Sequence, residues 1–327
     1  MSERSQVASS APATPVTAPA RAVAGPKRDL WARVRRHWML YVMIAPAILG
    51  FLLFKYIPAI GALTIPFTRY SIVDGFFGSE WVGLKWFISF LSGGFFPRLL
   101  RNTFLLGFLG MVIGFPMPIL LALSLNEIRS QPFKRFAQTI TYLPHFISVV
   151  VVVGLMYSWF AYDGYVNNFL GVFNLDPIDF QGDPRWFRPL YIGSGIWQGI
   201  GWGSILYLAA LGGVNPELYE SAYLDGANRV RRAWHVTLPG IAPTITILLI
   251  LGMQNIIEVG FEKAFLMQNP ANMSTSDVFA IYIYRRGIIG LDFSFASAVG
   301  LLNSVVGLLL VLSANYLSRL FNEHSLW

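Results

Sequence analysis

Cysteine is absent from all 327 residues. Without it no disulfide framework, Cys-ligated zinc, thiol nucleophile or iron–sulfur cluster can be built. Charge is scarce too. Lys, Arg, Asp and Glu make up 13% of the chain, about half the ~25% of a soluble domain. Such a chain cannot cover a globule with polar surface, so lipid is its expected solvent. Only four histidines occur (His37, His145, His235 and His324), scattered without the spacing of a zinc pair. No Gly-x-x-x-x-Gly-Lys-Ser/Thr is present, so the chain has no phosphate-cradling loop. No repeat of ~20–50 residues is visible, and no inverted halves of the kind many secondary transporters carry.

Apolar residues are abundant: 55% of the chain is hydrophobic and 15% aromatic, with ten Trp, and the mean hydropathy is +0.54. The aromatics suit belts at two membrane interfaces. The net charge of +7 does not point to nucleic acid, because the basic residues flank apolar runs as the positive-inside bias requires. A membrane helix needs about 20 mostly apolar residues. Six stretches qualify, at roughly 39–63, 103–125, 137–160, 190–211, 241–261 and 295–318. With the N-terminus inside, fourteen Lys and Arg fall on the cytoplasmic side and nine outside, against seven and nine acidic residues. The bias predicts an all-α, multi-pass membrane protein with both termini cytoplasmic.

Residues 1–26, rich in Ala, Pro, Ser and Thr, are expected to be a disordered cytoplasmic tail. No basic head precedes an apolar stretch there, so a signal peptide is not expected. Residues 27–38 place Leu30, Trp31, Val34 and Trp38 at helical spacing among arginines. They read either as a surface amphipathic helix or as a positive flank. Residues 39–327 are expected to form the transmembrane domain, with a cytoplasmic loop at 212–240. Gly110 and Gly114, and Gly195, Gly199 and Gly203, recur at four-residue spacing and suggest close helix contacts.

The loop carries the sharpest signal. Asn215-Pro216-Glu217 is a helix start: a capping Asn, Pro at the first position, an acid in the first turn. Leu218, Ala222 and Tyr223 can face one way, with Glu217, Glu220 and Asp225 exposed. Gly226 ends the helix in a turn, a basic stretch runs from Arg229 to His235, and Pro239 and Pro243 mark re-entry into the membrane. A protruding charged elbow of this kind suits a groove on a partner.

Glu220, Ser221, Ala222, Asp225, Gly226, Ala227, Val236, Leu238 and Pro239 resemble the EAA loop of permease subunits of binding-protein-dependent ABC importers. Ser221 stands where the pattern usually has Ala. Phe54 to Pro58, Trp81 to Leu84, Arg101-Asn102-Thr103, Thr141 to His145, Gly201 to Ser204 and Ser325-Leu326-Trp327 extend the resemblance to the sugar-importer branch similar to the larger maltose-type subunit, and within it to alginate importers. The resemblance implies a type I importer permease with six transmembrane helices and no enzymatic activity of its own. It implies that the loop is the coupling helix and that Glu220 meets a basic residue of an ATPase. The implied partners are a second homologous permease, two ATP-binding subunits holding ATP and magnesium, a periplasmic or extracellular solute-binding protein, and an oligosaccharide; the chain itself needs no cofactor.

Polar side chains at bilayer depth often line pathways. Gln198 and Trp202, beside Gly199, share one face of the fourth span, and Gln254 and Glu258, beside Asn255, share one of the fifth. These six residues are the candidate sugar pathway, against the plainer reading of interhelical hydrogen bonds. Glu258 would repel an acidic sugar unless shielded or paired; Lys263, Arg285 and Arg286 are candidate partners, and could instead meet an anionic sugar or the binding protein. His145 and Asn303 read as helix-packing residues. Two rival functions stand beside this one. An ion-coupled secondary transporter would need intramembrane acid pairs. A glycan-active membrane enzyme would need converging carboxylates; Asp176, Asp179 and Asp183 are close in sequence, but Pro177, Gly182 and Pro184 make that segment a turn.

Overall fold

The computed structural model describes residues 35, 37–253, 256–257 and 259–321, with side chains up to residue 313. The tail at 1–26, nearly all of 27–38, and Gln254, Asn255 and Glu258 of the candidate pathway lie outside the described residues. The chain divides into two units, Met1–Ala59 and Ile60–Trp327.

The first unit contributes one apolar helix, α1 (Trp38–Phe51), which buries none of its residues. It continues into a widened π-turn at Leu52–Tyr56. Pro58 follows two residues later, unable to donate a hydrogen bond and crowding the preceding turn.

The second unit is helical apart from a two-stranded antiparallel pair, Thr68–Arg69 and Glu80–Trp81. Its main helices are α2 (Phe96–Gly114), α3 (Pro116–Asn126), α4 (Gln131–Tyr142), α5 (Val149–Trp159), α6 (Pro184–Leu211), α7 (Pro216–Leu224), α8 (Leu238–Met253), α9 (Phe261–Met267), α10 (Phe279–Tyr284) and α11 (Phe293–Phe321). The helix α6 is the axis of the unit. Its N-terminal half supplies Phe187 and Ile192 to a core with Leu106, Val153 and Met267. Its C-terminal half supplies Tyr207 and Leu211 to a second core with Ile119, Ala122 and Ile241. A third core joins Phe90, Leu99, Phe279 and Phe295. Around these, Val112, Leu120, Ile247, Leu251, Leu308 and Leu312 remain exposed. An apolar exterior on this scale is what a lipid-facing bundle presents.

Among the described residues, four helical stretches are long and apolar enough to cross a bilayer: Trp38–Phe67, Phe96–Asn126, Arg229–Met253 and Phe293–Ser313. A fifth arises if Gln131–Phe146 and Val149–Trp159, bent by 99° at their junction, count as one span. The expected third span is thus broken. Pro144 sits in a 3-10 turn, Leu143–Phe146, and Ser148 restarts the chain by accepting from the Val151 amide. The five valines that follow favour strands, but hold a helix here because tertiary setting overrides propensity. The fourth expected span, 190–211, lies on α6, whose 28 residues extend about 42 Å at 1.5 Å per residue. Its glycines, serines, Gln198 and Trp202 keep it below the apolar threshold the other stretches pass.

Candidate functional site

The elbow forms as its residue types require. The Asn215 side chain accepts from the Glu217 amide at 3.0 Å, and Pro216 opens the helix. At the other end Ala227 donates its amide to the Ala222 carbonyl (2.9 Å) and Gly226 to that of Tyr223 (3.1 Å). This is a Schellman closure, and Gly226 supplies the positive φ of 72° it needs. Asn228 caps the next turn by accepting from the Arg231 amide at 2.9 Å. The turn at Arg229–Arg232 runs through a π-segment, Ala233–Thr237, into α8. That π-segment ends two residues before Pro239, as the one at Leu52–Tyr56 does before Pro58. Two prolines thus widen their helices in the same way.

Tyr219 anchors the elbow, its hydroxyl 3.1 Å from the Thr237 hydroxyl, which is itself buried. The inward face is therefore Tyr219 and Ala222. Leu218 and Tyr223, expected on it, are exposed, and so are Leu224, Val230 and Trp234. The reason is register: Tyr219, not Leu218, lies over the start of α8. Glu217, Glu220 and Asp225 are exposed, as are Ser221 and Gly226, with Ala227 half-buried. Arg229 turns to Glu127 (3.7 Å), tying the elbow to the loop after α3. Among the described residues Glu220 and Asp225 form no ion pair, so the acidic tip is presented outward.

The expected pathway residues on α6 lock onto the broken span. The Gln198 amide nitrogen donates to the Ile147 carbonyl at 2.7 Å, at the break itself. Trp202 stacks on His145 with ring centres 4.6 Å apart and planes 3° from parallel, and meets Phe146 edge-on. His145 is thus a stacking partner of Trp202. The glycines divide the same helix by role. A Cβ at Gly201 would strike the Thr141 backbone, and one at Gly203 would press on Pro118 at 3.0 Å. By contrast a Cβ at Gly199 or Gly110 would meet nothing within 4 Å. Of the glycines expected at close helix contacts Gly203 makes one, and Gly201, outside that spacing, makes another. Gly110, Gly114, Gly195 and Gly199 instead border an open cavity of about 420 Å³, with Gln198, Tyr191 and Lys263 on its wall.

Near the N-terminal end of α6 a polar knot joins distant segments. Asp277, completely buried, receives Arg98 at 2.8 Å and Arg285 at 3.0 Å. Asn102 donates to the Ser274 and Asp277 carbonyls and accepts from Arg188 at 2.9 Å. Burial and the nearby Arg101 charge disfavour the charged form of Arg188. Arg286 pairs with Asp292 at 3.5 Å, so Arg285 and Arg286 both have carboxylate partners. The acids once open to an enzymatic reading serve the backbone. Asp179 accepts from the Gly182 amide, and Asp183 caps α6 through the Arg185 amide. The Arg185 side chain holds the Asp183 carboxyl below its ordinary range. Sequence reasoning missed the Asp277 knot and the place of Lys263 on the cavity wall. A lone carboxylate and a lysine on a short helix carry no local pattern that names their partners across the fold.

Residues 114–324 match the family model for the binding-protein-dependent transport system inner membrane component. Protein LplB of Bacillus subtilis (strain 168) is 44% identical over 302 residues, covering 92% of this chain and 92% of that protein. The polygalacturonan/rhamnogalacturonan transport system permease protein YteP of the same organism is 45% identical over 302 residues, covering 92% and 94%. A crystal structure of a bacterial ABC transporter involved in import of the acidic polysaccharide alginate contains a chain 44% identical, with a TM-score of 0.82 over 89% of this chain and 98% of that one. The bacterial alginate ABC transporter in complex with an alginate pentasaccharide-bound periplasmic protein gives 43% identity and a TM-score of 0.83, covering 91% and 99%.

Proposed function

The chain belongs to the family of binding-protein-dependent transport system inner membrane components, and from that premise we propose that it is the permease subunit of an ATP-driven importer of acidic oligosaccharides. Family membership gives no support to the ion-coupled alternative. The names of the related proteins, which concern polygalacturonan, rhamnogalacturonan and alginate, favour a uronic acid oligomer as cargo.

The observation that carries the reading is the elbow. It is capped at both ends and anchored by Tyr219, yet it projects Glu220, Asp225 and an apolar fringe of Tyr223 and Leu224. An acidic and apolar knob on a stiff mount suits a cleft in an ATPase. The subunit pairs with a second permease, each elbow engages one of two ATPases, and both termini lie in the cytoplasm. A solute-binding protein outside delivers the sugar. ATP and magnesium act in the partner subunits. Closure of the ATPases pulls the elbow, α8 follows as its direct continuation, and the cavity beside α6 changes its side of access. Glu220, Ser221, Ala222, Asp225, Gly226, Ala227 and Pro239 form the handle; Gln198, Gly199 and Trp202, with Gln254, Asn255 and Glu258, border the path.

The test is co-purification of the chain with its partner subunits, followed by ATPase assays with liganded binding protein. Deleting residues 216–227 is expected to abolish stimulation of hydrolysis by the sugar. Normal uptake after that deletion would overturn the reading.

A further inference from the structure

The helix α6 presents Arg188, Tyr191, Gly195, Gln198 and Trp202 at steps of three and four residues, which places them on one face. Against the middle of this face lies Lys263, from α9. The residue is 9% exposed, and its Nζ donates to the Tyr191 carbonyl at 2.8 Å and lies 4.7 Å from the centre of the Tyr191 ring. An ammonium has three donors, and burying one is costly without acceptors. Among the described residues Lys263 has one acceptor and no carboxylate. Among those residues nothing else accepts from its other donors, and it forms the cavity wall with Gly195, Gly199 and Gln198. The glycines make the room: a Cβ at Gly195 would stand 3.3 Å from the ammonium, and Gly199 and Gly110 leave open space. Among the described residues the cavity wall thus carries one cation and one side-chain amide, set among glycines and the apolar Pro118, Ile192, Ile196 and Ile200.

Resting on the reading of the chain as a permease for acidic oligosaccharides, we propose that Lys263 reads the substrate's carboxylates within the pathway. Its ammonium forms a charge-assisted hydrogen bond to each uronate that passes α6. The Arg188 guanidinium, one turn further out on the same face, is the preceding cationic step. Carboxylates of successive sugar residues exchange from one cation to the next, so the oligomer is held without being trapped. A neutral oligosaccharide of the same size would leave the buried ammonium without its anionic partner.

The experiment uses the assembled transporter in proteoliposomes, with ATP inside and saturating sugar-loaded binding protein outside. Uptake is measured for alginate-derived oligosaccharides and for their carboxyl-reduced, neutral counterparts. K263M is expected to lower the acidic-to-neutral uptake ratio about tenfold, the scale of one lost hydrogen bond to a charged group, and K263R to restore most of it. G199D, placed where there is space, sets a competing carboxylate in the same cavity and is expected to lower the same ratio even if K263M fails to assemble. An unchanged ratio in either variant overturns the proposal. So does recovery of acidic uptake when E258Q is combined with K263M, which would assign Lys263 to an internal ion pair. A wild-type transporter that moves neither sugar refutes the proposed function itself, and is separable because it needs no variant.

Discussion

The Gln198 side chain donates its amide to the backbone carbonyl of Ile147 at 2.7 Å, bridging the long axial helix to the break in the third span. A carbonyl freed by a 99° bend has no helical partner and, away from water, must find another. Gln198 therefore makes the interhelical hydrogen bond of the plainer reading, from a position that also borders the cavity.

Removing that clip has a measurable cost. Q198A leaves the Ile147 carbonyl unpaired, at a cost of about 1–3 kcal/mol. Thermal unfolding of the detergent-solubilised complex is expected to shift downward, and Q198E, which loses the donor but keeps the size, to behave similarly. An unchanged midpoint in both variants would show that water or lipid satisfies the carbonyl.

The glycines of α6 should separate cleanly. G201V drives a side chain into the Thr141 backbone and is expected to prevent assembly, since overpacking costs about 1–3 kcal/mol and more where backbone must move. G199A faces open space and is expected to assemble as the wild type does. Yield of the intact complex by size-exclusion chromatography reads both.

The buried Asp277 holds Arg98 and Arg285 together. D277N leaves two guanidinium groups facing a neutral side chain, and breaking such a pair costs about 3–5 kcal/mol. Loss of folded protein on expression is the expected outcome. The exposed Arg229–Glu127 pair is a contrast: E127Q should change stability by about 1 kcal/mol or less.

At the elbow, G226V forces a β-branched residue to a φ of 72°, where such side chains are strained by about 1–2 kcal/mol. The complex is expected to assemble, with the ATPase response to liganded binding protein reduced more than the basal rate. E220K reverses the charge of the tip and should lose the same response, without the backbone change. Equal stimulation in both variants would remove the elbow from the coupling path.

Much of the architecture was legible because lipid imposes simple rules. Apolar runs of spanning length, flanked by basic residues, mark spans at roughly 103–125 and 295–318 without reference to any contact, and helical stretches at Phe96–Asn126 and Phe293–Ser313 cover most of them. The elbow was legible too, since Asn215, Pro216 and Gly226 act through local backbone geometry. The face of that helix was not: Tyr219 turns inward because Thr237, 18 residues on, waits for its hydroxyl. The third span was expected to be continuous, since hydropathy does not register where a chain changes direction.

Composition and order of residues by themselves determined the solvent, most of the helices and their caps, and they contain no Gly-x-x-x-x-Gly-Lys-Ser/Thr pattern. These depend on neighbours within a few residues or on totals over twenty. Tertiary structure alone decided that Gly201 meets backbone while Gly199 meets space, that His145 lies flat on Trp202, and that Lys263 reaches Tyr191 across 72 positions of chain. Contacts between residues so far apart are set by how rigid helices pack, and no local pattern encodes that.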